Sequence, residues 1–222
     1  GAGSTKSSGR VIVSTADAGT LGVSGRLQFT TGTTSSGTAG LIALTTGAAA
    51  GVGRSGHIVY VGGTTSTADA GGKVEIFASH SSHETGGMIS VSSGVAPPSS
   101  SGAVVVHSTN AGTLGTSGKL HFSSGTTSGG SSGAIQFSTG NTAGAGKAGG
   151  IIISVGSADS LTGGDIRVLP GTTVSTTGGV ISITTGAGST KSSGHVIVST
   201  ADAGTLGVSG RLQFTTGTTS SG

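Results

Sequence analysis

The residues best able to do chemistry lie in His80-Ser81-Ser82-His83-Glu84. Two imidazoles three positions apart, with a carboxylate beside them, are the kinds of donor that hold a divalent cation. This makes His80, His83 and Glu84 the candidate metal ligands, although weak ones. The cluster occurs once, and the equivalent stretches elsewhere read Thr33-Thr34-Ser35-Ser36 and Thr126-Thr127-Ser128-Gly129. A polar exposed loop explains it as well. Gly163-Gly164-Asp165 has the form of one fragment of a calcium-binding nonapeptide repeat but is not iterated. Serine is plentiful, yet no G-x-S-x-G elbow is set beside His and Asp in a convincing arrangement. Asp17 and Asp202 lie in identical repeated surroundings, which suits a structural position better than a unique active site. No P-loop is present. We therefore expect no catalytic residue, no bound cofactor and no enzyme activity.

Composition narrows the classes further. The chain has 222 residues, of which 47 are Gly, with 8% charged and 3% aromatic side chains. Disordered chains combine low hydrophobicity with high net charge, whereas here the net charge is only +3 and the mean hydropathy is +0.22. Dispersed basic residues and few aromatics to stack bases argue against nucleic-acid binding. Without Cys there are no disulfides to report a redox compartment. No apolar run approaches the roughly 18 residues of a membrane span. The first residues do not read as a signal peptide, so the sequence is expected to be a mature or excised piece. Neither Asn110 nor Asn141 lies in an N-glycosylation sequon. The Ser/Thr-rich connections offer acceptors for O-linked glycans.

Three repeats are nested in the chain. Residues 1–37 recur as 186–222 with one difference, Arg10 against His195, an offset of 195 − 10 = 185. A weaker echo begins at Ala103, offset 103 − 10 = 93. The shortest repeat is a run entered by Ser-Gly and left through Thr-Gly, as in Ser24-Gly25-Arg26-Leu27-Gln28-Phe29-Thr30-Thr31-Gly32. Runs start every 15 or 16 residues from Arg10 to Arg211, with apolar residues at their second and fourth positions, for example Val11/Val13 and Leu27/Phe29. Period-two alternation bounded by Gly and Ser predicts strands. The whole of 1–222 reads as a single continuous repeat array, expected to be a window of a longer protein.

The third position of each run gives a superperiod. It is β-branched and apolar at Ile12, Val59, Val105, Ile152 and Ile197. It is long and polar at Gln28, Glu75, His121, Arg167 and Gln213, and small or polar at Ala43, Ser90, Gln136 and Ser182. Three runs take 57 − 10 = 47 residues. The connections follow the same period. Those after the first class carry Asp17, Asp69, Asp159 and Asp202, with Asn110 in the remaining copy. Those after the third class carry Arg54, Lys147 and Lys191, and Lys6 precedes the first run in the same way; only the copy with Pro97-Pro98 has no basic residue.

This pattern predicts an all-β parallel β-solenoid, three-sided with about 46 residues per coil, each strand pairing about 4.8 Å from its counterpart one coil on. The alternative is 15–16 residues per coil. In the three-sided form, the stretch at Arg26 stacks on the run at Lys73 and not on the one at Leu41. Gly and Ser supply positive φ and close approach at the corners. Ile12, Val59, Val105, Ile152 and Ile197 then form an outward apolar row expected to be an assembly interface with another chain. The acidic and basic connections suggest complementary lateral contacts between copies.

The repeated Ser-Gly-x-Φ-x-Φ-Thr-Thr-Gly unit (Φ apolar) resembles the Gly/Ser/Thr-rich tandem repeats of β-solenoid proteins of cell surfaces and of extracellular or viral fibres. The resemblance covers the whole chain, rests on composition, and implies an architecture without a particular family. It implies a structural segment of an extracellular or cell-surface filament that associates with itself. The alternative is a surface adhesin, or an ice- or carbohydrate-binding module.

Overall fold

A computed structural model describes residues 8–50, 53–66, 70–97, 99–159 and 162–219. The chain divides into two units, Gly1–His107 and Ser108–Gly222. Among the described residues there is no helix and no β-strand. The β-solenoid expectation is therefore corrected in both its three-sided and its short-coil forms: the apolar runs are irregular segments joined by hydrogen-bonded connections.

The connections carry the order. In unit Gly1–His107, the Thr15 hydroxyl donates to the Gly25 carbonyl at 3.1 Å, Thr31 to Gly40 at 3.3 Å and Thr46 to Gly56 at 3.1 Å. Backbone bonds close further connections of that unit, Gly72 N–H to Gly63 at 2.9 Å, Gly87 to Ser79 at 2.8 Å and Gly102 to Gly94 at 3.0 Å. In unit Ser108–Gly222, Gly179 N–H donates to Gly171 at 2.9 Å and Gly194 to Gly186 at 3.1 Å. The Thr-Gly exit of one run is thus fastened to the Ser-Gly entry of the next.

These closures explain the punctuation of the sequence. A Cβ at Gly56 would lie 2.8 Å from the Thr46 Cβ, and one at Gly62 would lie 2.7 Å from the Gly72 carbonyl oxygen. Any larger residue at either position pushes the closure open. Positive φ plays a smaller part than expected: among the described residues only Gly37 and Gly144 adopt it. The requirement at the run entries is close approach.

Local closure also accounts for the absent coils. The stretch at Arg26 does not reach for Lys73; its exit Thr31 binds Gly40, nine residues on. Closing a loop of 47 residues instead of about ten costs about 1.4 kcal/mol more in chain entropy. A stacked coil recovers that only by burying its inner side chains, and each run offers just two. The described residues bury none of them. The alternation does not survive, since fourth-position Ile183 and Phe214, expected to face the same way as the second position, are 74% and 82% exposed; only the second position of most runs is less exposed. Second-position Ile58 and Leu120 are 48% and 49% exposed, whereas third-position Ile152 and Ile197 are 89% and 84% exposed.

Candidate assembly surface

The Glu84 N–H donates to the Ser81 hydroxyl at 3.0 Å, which makes residues 81–84 a capped polar bend. His80, His83 and Glu84 are all exposed on it. Among the described residues no three His, Cys, Asp or Glu side chains come together in a way that could hold a metal ion, and no pocket forms. The Gly163-Gly164-Asp165 stretch is a run entry, where a Cβ at Gly164 would meet Val155 Cγ1 at 2.7 Å. Asp17, Asp159 and Asp202 sit exposed on their connections; Lys6, Asp69 and Pro98 lie outside the described residues. The only ion pair among the described residues joins Lys73 to Glu75 at 2.9 Å within one run.

What the structure does present is apolar surface. Ile12, Val59, Val105, Ile152 and Ile197 are all exposed, each in its own run. Their expected alignment into one row depended on stacked coils, which the described residues do not form. The side chains beside them in the runs are exposed too, so the apolar surface extends well beyond those five positions.

A second set of apolar residues lies on the connections and is not picked out by the run-based reading. Gly19-Thr20-Leu21-Gly22, Gly112-Thr113-Leu114-Gly115 and Gly204-Thr205-Leu206-Gly207 each close with an N–H to C=O bond between their end glycines, at 3.1, 3.2 and 3.2 Å. Each is a tight four-residue turn. Leu21, Leu114 and Leu206 at their apices are all 102% exposed. Val23 and Val208, just beyond the first and third turns, are almost as open. The signal was available in the sequence: Gly-Thr-Leu-Gly occurs three times, putting a large aliphatic residue into connections otherwise built from small and polar ones.

No family model, characterised protein or solved structure matches the chain. Among the described residues no helix is long and apolar enough to cross a membrane.

Proposed function

We propose that the chain is a structural repeat segment of an extracellular or cell-surface fibre, and that it works by associating with copies of itself. The observation that carries this reading is that none of the apolar side chains among the described residues is buried. Every Val, Ile, Leu and Phe among the described residues faces solvent, in a chain whose mean hydropathy is positive. Apolar surface left in water is unfavourable by about 25 cal/mol per Å². Contiguous exposed apolar surface is characteristic of contact sites. A chain that does not cover this surface internally gains most by covering it with identical chains, since the long and short repeats offer the same surface again and again. Ile12, Val59, Val105, Ile152 and Ile197 are the assembly positions within the runs. O-linked glycans on the Ser/Thr-rich connections would keep those segments solvated while the runs associate.

The test is sedimentation velocity across a concentration series, paired with negative-stain electron microscopy of the same samples. Growth of the sedimenting species with concentration, and elongated particles on the grid, are expected. Replacing the five assembly residues by Ser should shift the onset of association to higher concentration. A wild-type chain that stays monodisperse and monomeric at every concentration would overturn the reading.

A further inference from the structure

We infer that the three leucine-bearing turns dock onto the basic connections of a second copy of this chain; this rests on the self-association just proposed and assigns its contact points. The first half of the argument is the construction of the turns. Three separate connections adopt the same glycine-closed geometry, and each holds a leucine clear of its surroundings. A Cβ at Gly22, Gly115 or Gly207 would touch the Cβ of Ala18, Ala111 or Ala203 at 3.4, 3.5 and 3.7 Å, so the alanine before each turn packs on its closing glycine in the same way. A preformed turn binds without first losing the conformational freedom of a loose loop. An aliphatic side chain fully in water at its apex is an anchor without a pocket in its own chain.

The second half is charge. Asp17 and Asp202 precede Leu21 and Leu206 by four residues in identical connections, and the neutral Asn110 holds the same place before Leu114. The basic residues Arg54, Lys147 and Lys191 lie on connections of another class, among small apolar residues such as Ala48, Ala49, Ala143 and Ala145. All of these charged residues are exposed, and the single described ion pair, Lys73 to Glu75, uses none of them. The acidic turn and the basic alanine-bearing connection therefore supply opposite charge and apolar surface to each other, and among the described residues no ion pair joins them. One such contact is weak, because exposed ion pairs contribute little. Repetition along the array multiplies it, since each contact after the first is intramolecular within the pair of chains.

The experiment uses the full chain in three forms: wild type, the acidic-side variant Asp17→Lys/Asp202→Lys, and the basic-side variant Arg54→Glu/Lys147→Glu/Lys191→Glu. Association is followed by sedimentation velocity at low salt. Each variant alone should need about tenfold more protein to associate than wild type, and an equimolar mixture of the two should recover the wild-type onset. A third variant, Leu21→Ser/Leu114→Ser/Leu206→Ser, should show a comparable loss that neither charge variant rescues. All these side chains are exposed, so their replacement leaves no cavity. If wild type associates and the variants match it, the docking inference falls while the fibre reading stands. The same holds if the charge variants weaken association and their mixture does not recover. A monomeric wild type removes both.

Discussion

Residues 15–25 and residues 26–30 adjoin in the chain and are held by different means. The connection from Thr15 to Gly25 is closed by the threonine hydroxyl and contains a bonded turn at Gly19–Gly22. The run from Arg26 to Thr30 is richer in apolar side chains, with Leu27 and Phe29, but neither is buried. The contrast recurs at 46–56 against 57–61, where the Thr46 hydroxyl and the Gly56 N–H both act in the connection. Local order in this chain is set by small residues that let the backbone approach itself. The apolar residues, which set the order of an ordinary globular core, are left exposed among the described residues.

That contrast can be broken most directly at Gly62. A methyl group there meets the Gly72 carbonyl oxygen at 2.7 Å, and backbone cannot swing aside as a side chain can. Gly62→Ala should weaken the 63–72 closure by about 1–3 kcal/mol, the usual cost of forcing atoms into a filled site. Amide hydrogen exchange at Gly72, whose N–H donates to Gly63 at 2.9 Å, reads the effect. The matching change in the neighbouring run, Ile58→Val, should move the same amide by less than about 0.5 kcal/mol, as surface substitutions do. Equal responses would show that the run supports the closure and would erase the distinction.

A smaller effect separates one connection from another. Thr46→Val keeps the side-chain shape and removes the donor to Gly56. Its loss should cost about 0.5–1 kcal/mol, seen as faster exchange of the Gly56 amide. Thr139 holds the equivalent place before Gly149, where a Cβ would lie 3.6 Å from the Thr139 Cβ, and it makes no hydroxyl bond to that glycine. Thr139→Val should leave its connection unchanged. A loss at Thr139, where there is no such bond to remove, matching that at Thr46 would mean that the cost at Thr46 does not come from its hydroxyl bond to Gly56.

Much of this organisation was legible in the residues. The Ser-Gly entry and Thr-Gly exit do mark the points where the chain meets itself, whereas the expected inward facing of second and fourth positions is not found: Ile58 and Leu120 are half-exposed and fourth-position Phe214 is open. What the pattern could not reveal was which entry each exit would meet. Thr31 could serve a neighbour at Gly40 or a strand one superperiod away, because the periodicities of 15–16 and about 46 residues are commensurate. Loop-closure entropy favours the near partner, and the run-based reading took the far one. The leucine turns were missed for a related reason: attention to runs treats connections as spacers, yet Leu21, Leu114 and Leu206 stand in them as the most exposed large apolar residues of their surroundings. The candidate metal ligands His80, His83 and Glu84 share one short bend, yet among the described residues they do not form a group that could hold a metal ion.

The least consequential change, by the same reasoning, is at the Lys73–Glu75 ion pair. Lys73 and Glu75 stand two residues apart in a run, so an extended backbone puts both side chains on one side, and their charged ends meet at 2.9 Å. Both ends remain in contact with water, where Coulomb attraction is screened and ordering two long side chains offsets much of it. Glu75→Gln should therefore change the exchange of the adjoining Gly72 and Gly87 amides by less than about 0.5 kcal/mol, and raising the salt concentration should not alter wild-type exchange there. A larger shift at Gly87, whose N–H bond to Ser79 closes the far side of this run at 2.8 Å, would have to pass along residues 73–79. The run would then be a strut between two closures, and the division between ordered connections and uncommitted runs would fail at the run that carries the Lys73–Glu75 pair.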